Sequence, residues 1–480
     1  MARRGVRVVE ESIKSIHKAS MVILAQTGIK VHHRETLKIV EKLGIKVLDD
    51  RVFFQEDQLM KWVSKAPKLF TIHARNPQYN MTMGGDSTEF APGYGCPSIV
   101  ESNGIRRAAT YHDYCNFLKL VHQSEFFKIN GGLVVQPCDL DPRQFLPLLI
   151  YSTIIHSDKC LMGIPGRTLE VLKMMDLVGI LFGQNALLEK PRVLTLINST
   201  SPLQYDQVAL ETMMVCSQHN QPLIVSPGPM AGATGPVTLA GNLALGNAEA
   251  LAGIAISQMV NEGTPVVYGL QPTIIDMSSA AISIGSPVCA LGMAYSAKLA
   301  KFYGLPSRCG GANTDAKNVS AQSGLESMMA MFGICLEKPN FILHSAGILD
   351  GYGSMSYEQF ILDLEIIRMV EYYLKGLNFS QESLAVKIID QVGPGGEFLT
   401  VQHTLDNFRE ASWMSEICRR GPTTENKTGE DIFNHNIIMK KEKMLEEYRI
   451  PNIDLSVKAQ LMNYLSTEIE IDKALLKKVG

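Results

Sequence analysis

The sequence contains no Cys-x-x-Cys, and its nine cysteines stand singly among 480 residues. Neither a disulfide framework nor a Cys/His zinc site is predicted from such spacing. There is no GxSxG elbow and no cysteine paired by sequence with a base, so nucleophilic catalysis by a side chain has no support. No GxGxxG follows the first predicted strand, and the GK[ST] ending of a P-loop is missing. Charge of one sign is lacking too: 45 Lys and Arg against 48 Asp and Glu give a net charge of −3. That balance gives no reason to expect nucleic acid or an anionic membrane as a partner. The first residues, MARRGVRVVEESIKSIH, hold no apolar run of signal-peptide length. The longest weakly polar run, 278–300, is broken by Gly285, Ser286 and Pro287 and reads as a packed helix. A reduced, cytoplasmic protein is expected.

What is present is a globular composition, 46% hydrophobic with 19% charged residues, in a chain long enough for one large core or two ordinary ones. Residues 1–95 carry two helical patterns, 10–27 and 34–43, each stopped by a glycine (Gly28, Gly44). Short apolar pieces follow at 52–54 and 69–73, and this part reads as an α+β packing segment. From residue 96 to 420 a rhythm sets in. Apolar runs at 127–135, 160–164, 193–197, 223–225, 265–269, 307–309, 341–345 and 385–389 are each followed by turn residues. Helix-length spacers separate them. Eight such strands over about 300 residues predict a closed (β/α)8 TIM barrel rather than an open sheet. Residues 421–480 read as a charged helical tail that packs on the barrel or on a second subunit.

In a barrel the carboxyl ends of all strands face one mouth, where chemistry gathers. The densest polar stretch is 306–351, with Asn313, Asp315, Lys317, Gln322, Glu326, His344 and Asp350, followed by Tyr352. Other predicted strand ends supply Asn198, Ser199, Tyr268 and Gln271, and a turn at 91–95 brings Tyr94. Two Pro/Gly loops, 227–236 and 393–396, allow close backbone approach to a flat ligand or simply reverse the chain. His344 and His403 are the histidines placed for acid–base work. His344 with Asp315 or Glu326 offers donors for a metal, but nothing in the spacing demands one.

Several long stretches, in order, resemble one family. INSTSPLQYD, PGPMAGATGPVTLAGNLALGNAEALAG, TDAKNVSAQSGLES, FILHSAGILDGYGSMSYEQFILDLE and VGPGGEFLTVQHTLDNFRE are similar to the trimethylamine methyltransferase (MttB) superfamily. The earlier stretches ILAQTGIKV and APKLFTIHARNP fit as well. The resemblance implies a TIM barrel that moves a methyl group from an amine to Co(I) of a separate corrinoid protein, with no tightly bound cofactor of its own. It also implies pyrrolysine within 310–313 in the trimethylamine branch. Only standard residues stand there, which points to the branch that demethylates quaternary amines of the betaine type. On this reading Tyr94, Tyr268 and Tyr352 are candidates for a cation cage. Arg308 or Lys317 would meet a carboxylate, with Asn313 and Gln322 beside the substrate. Asp315, Glu326 and His344 would orient the substrate or stabilise the cation. Gly228, Gly232, Gly395, Gly396 and His403 would face the corrinoid. A homo-oligomer is expected, with the N-terminal segment and the tail as packing surfaces. Two other readings remain from the residues: a metal-dependent barrel lyase or hydrolase using His344, Asp315 and Glu326, and a non-catalytic quaternary-amine-binding protein.

Overall fold

Eight short strands form one parallel sheet in the computed structural model, which describes residues 2–422 and 428–471, together with residue 476. They are β1 (Glu89–Phe90), β2 (Ile129–Gly131), β3 (Cys160–Met162), β4 (Val193–Ile197), β5 (Leu223–Val225), β6 (Val266–Gly269), β7 (Ser307–Gly310) and β8 (Phe341–Leu343). β2 through β7 each pair with the next strand, and β8 pairs with β1, all in parallel. A further parallel bridge between Phe90 and Phe127 closes the ring. This is the TIM barrel. Its strands are apolar runs rather than alternating ones because both faces are covered: all five residues of β4 are buried.

Seven of the strands fall where the sequence places them. Residues 385–389 do not form the eighth. They enter a helix, Val386–Val392, that no part of the barrel covers. A short apolar run such as AVKII fits either structure, and burial decides between them. The vacant place is filled by β1, which lies before residue 96 and is too short to show a period of two.

The N-terminal segment serves the barrel in two ways. Its long helix, Ala2–Val22, lies against the helix Leu239–Val260. A hairpin of Phe70–Ile72 and Met81–Met83 closes the amino-terminal end of the barrel. There the His73 N–H donates to Pro191 O and the Asn76 N–H to Asp158 O, just ahead of β4 and β3. Ile72, Met81 and Met83 join Ile129, Leu194, Ile224 and Phe341 in one core. Among the described residues, Leu239–Val260 alone is long and apolar enough to cross a membrane, but 94% of its apolar window is buried inside the protein. A helix enclosed on all sides is apolar all round.

The tail helices Gly429–Glu447 and Leu455–Glu468 also pack on the barrel, burying Ile437, Leu461 and Leu465. The Tyr448 hydroxyl donates to His156 O at 2.9 Å. Both surfaces expected from sequence to meet a second subunit are thus used, at least in large part, within the chain. Residues 376–412 leave the body as an arm of three short helices, Gln381–Leu384, Val386–Val392 and Gln402–Ala411, with no buried residue. At the carboxyl end of the barrel, two small sheets frame the mouth. One joins Met230–Ala231, Thr273–Ile275 and Ile282–Ser283; the other joins Ser98–Val100, Arg106–Ala108, Ile348–Leu349 and Ser354–Met355.

Candidate active site

A cavity of about 370 Å³ opens at the strand ends, lined by Tyr94, Leu196, Ser199, Gln271, Arg308, His344 and Tyr352 among others. Larger hollows of about 630 Å³ lie on the outer surface, one beside His32 and His33 and one along the N-terminal helix. Neither gathers side chains from the barrel's strand ends. The mouth cavity does.

Arg308 is the centre of this cavity and its only charged lining side chain apart from the titratable His344. It is fully buried on β7, where alternation turns it into the barrel while Cys309 faces outward to Met293 O. Its stem lies against Gly269 of β6: a Cβ there would stand 3.0 Å from the Arg308 Cβ and Cδ. One guanidinium nitrogen, Nη1, donates to Gln271 Oε1 at 2.5 Å and to Ser226 Oγ at 3.1 Å. The other, Nη2, is 3.2 Å from His344 Nδ1. The remaining Nε has no partner in the protein.

These contacts fix the protons of the neighbours. Arginine only donates, so His344 Nδ1 accepts and its proton sits on Nε2. Burial and the adjacent Arg308 charge hold His344 well below the usual imidazole range, with a backbone hydrogen bond at Tyr94 pulling the other way. His344 is neutral. It also carries a φ of 60°, the sparsely populated left-handed region, immediately after β8. Its ring lies 4.8 Å from that of Tyr352, which has a φ of 71° itself. Because Oε1 of Gln271 meets Arg308, its Nε2 donates to the Tyr352 oxygen. The phenol oxygen is then an acceptor, and its own O–H is free to donate into the cavity. Burial pushes the Tyr352 hydroxyl far above its ordinary value, with Arg308 opposing, so that proton stays on. Tyr94 brings a third ring, with a fully buried hydroxyl that has no partner.

Across the cavity, Ser199 donates to Glu249 at 2.5 Å and leaves its own oxygen as an acceptor. Glu249 also accepts from the Ser201 hydroxyl and the Leu203 N–H, each at 2.7 Å. Burial raises its carboxyl above the ordinary value despite those bonds. The cavity therefore has a donor-rich end at Arg308, Tyr352 and Tyr94, aromatic walls, and no carboxylate among its lining residues.

Of the residues singled out in the sequence, Tyr94, Asn198, Ser199, Gly228, Gln271, Arg308, His344 and Tyr352 meet here. Tyr268 does not. Val267 takes the inward position on β6, so Tyr268 faces the helices and donates to Asn247 Oδ1 at 2.8 Å. Asp315 accepts from the Ser283 hydroxyl and from the N–H groups of Ile284 and Gly285, tying down the mouth hairpin. Glu326 accepts from Thr314, the Asp315 N–H and Gln322. These are loop-holding groups, and His344 has Arg308 against its Nδ1, so the three do not form a donor set. Among the described residues no group of three His, Cys, Asp or Glu is placed to hold a metal. Asn313 is buried beside Met293, Lys317 pairs with Asp350 at the surface, and Gly232 turns beneath Met277. Gly395, Gly396 and His403 lie on the arm, because the strand expected ahead of them is absent. Ser226 and Glu249 were missed, while Gln271, two residues beyond β6, was named at its strand end without a role.

The trimethylamine methyltransferase (MTTB) family model matches residues 4–470. The chain belongs to this family, and it is a methyltransferase. A glycine betaine methyltransferase of Desulfitobacterium hafniense (strain Y51) is 39% identical over 95% of this chain and 96% of its own length. A proline betaine:corrinoid methyltransferase and an L-carnitine:corrinoid methyltransferase, both of Eubacterium limosum, are 28% and 27% identical. Those alignments span 94% and 96% of this chain, and 96% and 97% of the relatives. Among solved structures, the monomethylamine methyltransferase of Methanosarcina barkeri has a TM-score of 0.49 and 11% identity, over 92% of this chain and 88% of that one. At that level it adds nothing to the strand order already described.

Proposed function

We propose that this chain demethylates a betaine and passes the methyl group to Co(I) of a separate corrinoid protein. One observation carries the choice of donor: a buried, incompletely partnered Arg308 in a cavity walled by Tyr94, His344 and Tyr352. A bare cation such as tetramethylammonium would face that guanidinium with no compensating charge. A zwitterion fits both parts, its carboxylate on Arg308 and the Tyr352 hydroxyl, its ammonium methyls against the rings. The three relatives described above act, by name, on compounds of this kind.

The chemistry asks little of the protein beyond placement. Attack by Co(I) on a methyl carbon breaks one C–N bond, and the electron pair returns to nitrogen, leaving a neutral tertiary amine. No acid is needed for that leaving group. Arg308 and the rings hold the substrate in line and exclude water. Residues 310–313 leave little room for an added long side chain: a Cβ on Gly310 would approach Asn313 Nδ2 to 2.8 Å and Gln271 to 3.0 Å. Gly228 and the hairpin near Gly232 form the rim that the corrinoid protein would meet. All nine cysteines are free, and the reaction belongs in the reducing cytoplasm.

The test is anaerobic. The protein is mixed with Co(I) cobalamin or a Co(I) corrinoid protein, and the spectral change to methyl–Co(III) is followed. Glycine betaine, proline betaine, carnitine, trimethylamine and tetramethylammonium are supplied in turn. Methylation by one or more betaines, with the last two inert, is expected. Methylation by tetramethylammonium at a matching rate would overturn the role given to Arg308.

A further inference from the structure

We infer that the arm, residues 376–412, is the interface that pairs this chain with a second copy of itself. Its helices have 4, 7 and 10 residues, lengths that do not hold in water without packing. Yet no residue of the arm is buried. Leu377, Phe379 and Leu399 are 80%, 72% and 76% exposed, with Val386, Ile389 and Phe408 beside them. At its root, a hollow of about 500 Å³ is lined by Met369, Tyr372, Tyr373, Leu377, Trp413 and Arg420. Exposed apolar side chains are thus concentrated in a stretch under a tenth of the chain. Together they offer on the order of 1,000 Å² per protomer, above the roughly 800 Å² that each partner contributes to a standard stable interface.

Four occupants are conceivable, and three are disfavoured. The chain's own tail helices are seated on the barrel. A corrinoid protein must come and go with turnover, and a surface this apolar would stand bare in between. Permanent interfaces are the more hydrophobic class. A second copy is always present in the same amount, and a two-fold axis would set the same arm and root hollow of both protomers against each other. The arm holds five acidic residues against two basic ones, which disfavours an anionic lipid surface.

The experiment is sedimentation velocity on the full chain across a hundredfold concentration range, repeated with Leu377→Glu/Phe379→Glu and with Leu399→Glu. The wild type is expected at twice 52.9 kDa or a multiple of it, and the variants at the monomer mass with an unchanged near-UV spectrum. Hydrogen exchange on the wild type is the second readout, free of any folding defect in the variants. Arm amides are expected to be protected at high concentration and to lose at least tenfold of that protection on dilution to monomer. A wild type monomeric throughout overturns the inference, as does a variant that stays dimeric. Protection that appears only when a corrinoid protein is added would assign the surface to that partner instead. None of these outcomes depends on which amine is the methyl donor.

Discussion

Arg308 organises the cavity because every neighbour must present an acceptor to it, and the remaining donors are left for a ligand. Replacing it with Met should therefore remove the anion end while keeping the stem packed against Gly269. A charge-assisted pair contributes about 1.5–3 kcal/mol, so betaine affinity should fall about 10- to 150-fold by calorimetry. His344 supports a second expectation. It is neutral in the folded chain and free to take a proton when unfolded, so its stabilising contribution is present above about pH 6.5 and is lost as the pH falls through that value. Denaturation of wild type and His344→Gln, compared from pH 7 to pH 5, should diverge by up to about 1.4 kcal/mol per pH unit in the acid limb. His122 and His156 are both depressed by burial to about 4 and titrate in the same direction, so they cancel in that comparison. Parallel curves would place the His344 proton elsewhere. Strand-end position pointed to His344 and Tyr352, a turn ahead of the barrel to Tyr94, and the family resemblance to Arg308; all four line the cavity. It failed for Tyr268 because a β-strand turns alternate residues to opposite faces, and the phase of a four-residue strand is not written in its composition.

The mouth hairpin Thr273–Ile275 and Ile282–Ser283 is paired on one side with Met230–Ala231, but its second strand is a two-residue edge, marginal without a tether. Asp315 is that tether through three hydrogen bonds. Asp315→Ala should leave the hairpin's amides exchanging faster and raise KM for the corrinoid protein several-fold. Betaine affinity should change less than twofold, since Asp315 does not line the cavity. An equal loss in both would put Asp315 in the substrate site after all. Barrel strands β2 to β8 were plain in the sequence, because burial on both faces makes their apolar runs continuous. Glu89–Phe90 was not: two residues carry no period, and only their pairing with Phe341 and Ile342 reveals a strand. Residues 385–389 show the converse, a β-like composition in a segment that the barrel never covers.

The tail is part of the barrel's stability. Ile437, Leu461 and Leu465 are buried against it, each contributing roughly 1.5–3 kcal/mol. A chain stopped after residue 421 should lose on the order of 5 kcal/mol, comparable to the whole margin of many domains. Calorimetry should show a melting temperature about five degrees lower, or no cooperative transition. A melt unchanged within two degrees would make the tail an appendage. The pairing of β1 with β8 sets a different kind of constraint, one of time. As the chain is synthesised, Phe90 emerges about 250 residues before Ile342, the residue it must stand beside. The ring can close only after most of the protein exists. Lys30 and Val31 wait in the same way for Gln204 and Tyr205. The nascent chain must carry its first hundred residues unfinished through most of translation, so chaperone demand and premature termination bear on this enzyme more than its final stability would suggest.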